Sequence, residues 1–189
     1  MAYLTLNTIA QLTPHPDSTS ATQNQPLQTH STKLRSQIQV IETPGDRFCN
    51  EIVANALKIA STGDRVLVVQ LLKGGIHQGH DRVVNIAQNL DWVRCNLTRN
   101  ISTADLNELE THNFQQLWKY VKSTVRSSQD GETVSSGYAL VILDDLSRSI
   151  ELGFITIESA TKFLTNLPPG TEIILTGTNP HPRILELVG

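Results

Sequence analysis

Residues 65–74 read RVLVVQLLKG. Between Val66 and Leu72 a single polar residue, Gln70, interrupts an apolar run. A run of this length with no alternation reads as a strand covered on both faces, which is the signature of a parallel sheet. The residues that follow, Lys73-Gly74-Gly75, read as a loop. Upstream, residues 36–42 (SQIQVIE) form a second strand candidate, ended by Thr43-Pro44-Gly45. Residues 48–60 then place Ile52, Val53, Ala56, Leu57, Ile59 and Ala60 on one helical stripe, with Gly63 as its stop. Strand, turn, helix and strand together have the length of one βαβ unit.

Downstream the alternation continues. The sequence predicts a weak helix over 81–89 and a short strand over 91–96. A helix is predicted from residue 102 to about 127, capped by Ser102 or Asp105. Its inward residues would be Leu106, Leu109, Phe114, Leu117, Trp118, Val121 and Val125. Residues 127–137 are a polar connector, and YALVIL at 138–143 is a strongly apolar strand running into Asp144-Asp145. Ser147, Arg148 and Ser149 read as a solvated turn. A helix over 156–164, a turn at Pro168-Pro169-Gly170, a strand over 172–176 and a helix over 182–188 complete the chain. Strands alternating with helices predict an α/β fold, a parallel sheet with helices on both faces. The expected division is a domain over 37–189 preceded by a polar arm over 1–36. Residues 12–34 hold too few apolar side chains to offset their chain entropy. Tyr3, Leu4, Leu6 and Ile9 are the arm's candidate anchors for a protein partner.

A formal net charge of −3 supplies no basic field for nucleic acid or anionic membrane. No apolar run approaches the roughly 18–20 residues of a membrane span. The two cysteines, Cys49 and Cys95, lack disulfide-framework or zinc spacing and read as free thiols of a reducing compartment, so the cytoplasm is expected. Cys49, near a helix start, is read as a packed side chain. His77 and His80 are read as loop polarity, and Trp92 and Trp118 as core.

In open parallel sheets, ligands bind beyond the carboxyl ends of the strands. Four such ends carry polar or glycine residues: 43–47 (TPGDR), 73–75 (KGG), 144–145 (DD) and 176–178 (TGT). They belong to four strands and are expected along one sheet edge. Thr43, Gly45, Arg47, Asn50, Lys73, Thr176 and Gly177 are the candidate ligand-binding residues. Asp144 and Asp145 have the form of an acid pair placed to hold hydrated magnesium.

Taken in register, 65–74 (RVLVVQLLKG), 138–146 (YALVILDDL) and 172–188 (EIILTGTNPHPRILELV) resemble three segments of the P-loop ATP:corrinoid adenosyltransferases. In order, these are the strand and loop VxVVQFxKG, the buried strand ending Asp-Glu, and the ILTGR strand and helix. The resemblance covers roughly residues 37–188. It implies a P-loop NTPase-like (RecA-like) sheet, a homodimer, and ATP, magnesium and a corrinoid as ligands. The family's phosphate loop, Gly-Asn-Gly-Lys-Gly-Lys-Thr-Thr, falls on residues 43–50 (TPGDRFCN). There Gly45 is kept, the lysine becomes Phe48 and the magnesium-binding threonine becomes Cys49. Thr-Gly-Arg becomes Thr176-Gly177-Thr178, without its cation. A phosphate cradle needs that ammonium and hydroxyl. The expectation is therefore a binding or regulatory protein that kept the fold and lost adenosyl transfer. The alternative is an active or weak ATP:cob(I)alamin adenosyltransferase.

Overall fold

A computed structural model of the chain describes residues 38–43, 50–125 and 137–188, all within the unit Lys33–Gly189. The expected arm over 1–36, the loop residues Gly45, Arg47, Phe48 and Cys49, and all but the last residue of the connector lie outside the described residues. Along the chain the elements are β1 (Ile38–Glu42), α1 (Asn50–Ser61), β2 (Val66–Gly74), β3 (Val84–Ala87), β4 (Leu90–Cys95) and α2 (Glu108–Thr124). They continue with β5 (Leu140–Asp144), α3 (Leu146–Glu151), α4 (Ile157–Thr165), β6 (Glu172–Gly177) and α5 (Pro182–Val188).

The described strands form one sheet in the order β1-β6-β5-β2-β4-β3. Every pairing is parallel except β3 with β4. Side chains alternate across a strand, so β2 feeds two cores. Leu67, Val69 and Leu71 join the larger core with side chains of α2, α4 and α5. Val66 and Val68 join the smaller one with Ile52, Ala56 and Ala60 of α1. Burial on both faces explains the near-continuous apolar run of β2. Helices therefore cover both faces of a mostly parallel sheet, the α/β, P-loop NTPase-like architecture expected from the sequence. One strand, β6, separates β1 from the acid-bearing β5.

Four expectations need correction. Residues 84–87 are not helical: they form β3, an antiparallel edge strand joined to β4 by a tight turn whose Asn89 has φ of +68°. Val83, Val84, Ile86 and Ala87 mimic helical spacing, but a turn asparagine tolerates the left-handed conformation and closes a hairpin instead. The long helix starts at Glu108 and not at residue 102. Its cap is Asn107, whose side chain accepts from Glu110 N while Glu110 accepts from Asn107 N, a reciprocal capping box. Ser102 and Asp105 precede it, and Leu109 is 68% exposed instead of inward. Finally, Ser147, Arg148 and Ser149 belong to the short helix α3, in which Ser149 is fully buried and bonded to Asp145 O. Lys73 and Gly74 are the last residues of β2 and not loop.

At the opposite end of the strands from the candidate site, Asp91 is buried beneath three donors. Arg65 reaches its Oδ2 at 2.8 Å, the Tyr138 hydroxyl donates to the same oxygen at 2.5 Å, and Asn85 donates to Oδ1. The cluster ties the starts of β2, β4 and β5 together. Burial and the Asp91 charge hold the Tyr138 hydroxyl well above its ordinary pKa.

Candidate functional site

The four motif-bearing ends belong to four contiguous strands, β1, β6, β5 and β2. Strand register places Arg94 opposite Gln70, Gln70 opposite Asp144 and Asp144 opposite Thr176. Directly opposed residues share a face, and this one is the α1 face, since Val68, Ile142 and Ile174 two residues earlier pack there. The result is a polar row across the top of an otherwise apolar face.

The row is closed by directed hydrogen bonds. Thr176 Oγ1 donates to Asp144 Oδ1 at 2.7 Å, and Gln70 Nε2 donates to Asp144 Oδ2 at 3.2 Å. Gln70 Oε1 accepts from Trp92 Nε1 at 3.0 Å and from Arg94 Nε at 2.7 Å. Two donors on the carbonyl fix the amide orientation, so its N–H must face Asp144. Asp144 is 4% exposed. Burial lifts its carboxyl above the ordinary range, opposed by the bonds from Thr176 and Gln70 and by the charges of Lys73 and Arg94.

Asp145 leaves the strand in a left-handed conformation, φ +64°, and starts α3. Its N–H donates to Thr176 O at 2.8 Å, and its carboxylate meets Lys73 Nζ at 3.9 Å. Gly177 has φ of +133°, and a Cβ there would come within 3.0 Å of Asp145 Oδ1. Only glycine accepts that backbone and leaves room for the carboxylate. Thr43, 3% exposed, donates its N–H to Gly177 O at 3.0 Å and so fastens the end of β1 to β6. Asn50 is the exposed first residue of α1. Of the expected site residues, Thr43, Lys73, Asp144, Asp145, Thr176 and Gly177 thus come together. Gly45 and Arg47 lie outside the described residues.

The sequence reading did not select Gln70 or Arg94. Gln70 had a visible signal, being the one polar residue inside the apolar β2 run. Arg94 had none, because only register reveals that it faces Gln70. Trp92 is half-buried against the smaller core, and its indole N–H also serves the row. Trp118 packs edge-on against Phe163 in the larger core. His77 Nδ1 lies 3.0 Å from Arg82. Buried Cys95 is held as a thiol, its pKa pushed up to about 12 by desolvation.

A metal ion at the acid pair would compete with contacts already made there. Each Asp144 oxygen already has a protein donor, and Asp145 faces an ammonium. Among the described residues no group of three or more His, Cys, Asp or Glu side chains converges.

Charged and polar residues gathered at the carboxyl ends of adjoining parallel strands lie where open α/β sheets bind their ligands. The family model for ATP:corrinoid adenosyltransferase BtuR/CobO/CobP matches residues 52–189. The chain belongs to that family. It is similar to the uncharacterized protein all2391 of Nostoc sp., 27% identical over 155 residues. That similarity covers 76% of this chain and 39% of the relative, so the chain spans about two fifths of the length of the protein it matches. Among the described residues no helix is long and apolar enough to cross a membrane.

Proposed function

We propose that this protein is a corrinoid adenosyltransferase-like member that no longer transfers adenosyl groups and acts as a non-catalytic binding or regulatory protein. The observation that carries the reading is that the acid pair is already engaged by its own chain. Asp144 is bonded by Thr176 and Gln70, and Asp145 is paired with Lys73. An acid already satisfied by its own chain gains less from a hydrated cation. The sequence supports the same reading, since Phe48 and Cys49 stand where the resembled loop has lysine and threonine. The family match begins at Ile52, past that loop. Without the ammonium and hydroxyl, backbone N–H groups alone must hold a triphosphate.

Calorimetric titration tests this directly. Magnesium-ATP is expected to bind no tighter than about millimolar, and micromolar binding overturns the proposal. The double substitution Phe48→Lys with Cys49→Thr should create ATP binding if the loop alone has changed. The competing reading, an active ATP:cob(I)alamin adenosyltransferase, draws on Lys73, Asp144 and Thr176 meeting at adjoining strand ends. It predicts turnover with ATP and a reduced corrinoid. We also take the protein to be a cytoplasmic homodimer whose segment 1–36 contacts a protein partner. Sedimentation of the full chain and of one lacking that segment separates the two roles.

A further inference from the structure

Helix α5 opens on Pro182, which carries no N–H, so Arg183 supplies the first backbone donor of the helix. His181 takes it. Its Nδ1 accepts from Arg183 N at 3.3 Å, while its carbonyl accepts from Ile184 N and Leu185 N at 2.8 and 3.1 Å. That is the work of an N-cap, done by a ring in place of the usual hydroxyl or carboxamide. A backbone N–H can only donate, so Nδ1 holds a lone pair and the ring proton sits on Nε2. The residue is also fastened to the candidate site. His181 N donates at 3.0 Å to the hydroxyl of Ser147, which follows the acid pair in α3. Ser147, Thr176, Gly177, Thr178, Pro180 and Ile184 meet around one small depression.

We infer that His181 is a pH-responsive cap, whose protonation loosens the first turn of α5 at the rim of the candidate site. A proton on Nδ1 turns the acceptor into a donor, and the Arg183 N–H loses its partner. The same proton puts a positive charge at the positive end of the helix, ahead of Arg183. Both effects have one sign. The cap holds while the ring is neutral and is lost as falling pH protonates it. The charged groups of the surroundings are few. Helix α5 itself carries Arg183 and Glu186. Helix α4 brings Lys162 and Glu158, the latter 3.5 Å from Arg183. Helix α3 brings Arg148 and Glu151, paired at 2.7 Å, and β1 brings the exposed Glu42. Among the described residues none of these carboxylates forms an ion pair with His181.

The test is an NMR titration of the full chain from about pH 8 to about pH 5, the interval in which imidazoles take up a proton. At the upper end the His181 ring should be the Nε2–H tautomer. On acidification the Arg183 amide proton should lose its hydrogen-bonded shift. The helical Cα shifts of residues 183–186 should shrink, as opening of the first turn rises about two- to thirtyfold, the range of a lost N-cap. Helix α2, capped by Asn107, should keep its shifts. His181→Asn supplies a cap that takes up no proton, so helicity should persist at both ends of the titration. His181→Leu should lack it at both. Helical shifts of 183–186 that ignore pH, a loss shared equally by α2, or the same loss in His181→Asn would each overturn the assignment. So would full helicity in His181→Leu or an Nδ1–H tautomer at the upper pH. None of these readouts involves magnesium-ATP, so the cap and the proposed function stand or fall separately.

Discussion

Thr176 Oγ1 donates to Asp144 Oδ1 at 2.7 Å across the adjoining strands β6 and β5. The bond sits in a buried layer, with both residues at most 5% exposed. Replacing Thr176 by valine keeps the shape and removes the donor. The orphaned oxygen should lower stability by about 1–3 kcal/mol, measured by urea unfolding at neutral pH. A loss below about 0.3 kcal/mol would mean that water replaces the hydroxyl.

The Asp144 carboxyl also sets a pH dependence. Its folded pKa is raised above 3.8 by burial, so between the unfolded and folded values the native state holds the proton more firmly. Its contribution is fully present below 3.8 and is lost as pH rises through the folded pKa. The stability difference between wild type and Asp144→Asn should therefore fall with rising pH across that window. A difference independent of pH would refute the assignment.

Asn107 and Glu110 cap α2 by bonding each other's backbone N–H at 2.9 and 3.0 Å. Asn107→Ala should cost about 0.5–2 kcal/mol, whereas Ser102→Ala should stay within about 0.5 kcal/mol. Thermal or urea melts of the pair decide whether the cap is placed correctly. Equal effects would move the helix start back towards residue 102.

Gly74 ends β2 against the loop that follows β4. A Cβ there would overlap the Arg99 carbonyl, lying 2.7 Å from its carbon and 2.9 Å from Leu97 O. Backbone cannot yield as a flexible side chain does, so Gly74→Ala should cost about 1–3 kcal/mol through overpacking. Gly75→Ala, whose nearest contact is the Gln78 side-chain oxygen, should cost less. The reverse order in urea melts would show that the loop gives way.

The central sheet was legible because β2, β5 and β6 bury both faces, which removes polar residues from their sequences and leaves unmistakable runs. The convergence of 73, 144 and 176 followed from topology alone. What escaped was decided by partners remote in sequence. The four residues of β3 imitate a helical stripe, and only the hairpin closed at Asn89 excludes it. The sequence Asn107-Glu108-Leu109-Glu110 did carry a capping signature, yet Ser102 and Asp105 offered earlier alternatives of the same chemistry. Arg94 became part of the site only through its register with Gln70, which no local pattern encodes. The six residues of α3 are too short for periodicity to register.

The stretch after β4 is bolted down at several points. Asn100 Oδ1 accepts from Gly74 N at 3.0 Å, and Ile101 N donates to Leu72 O at 2.8 Å. Arg99 clasps Glu110 at the head of α2 with contacts of 2.8 and 2.9 Å. A flank anchored in this way is furniture and not a door. Whatever approaches Lys73 from that side meets a contour settled beforehand, so it must match the existing shape rather than induce a new one.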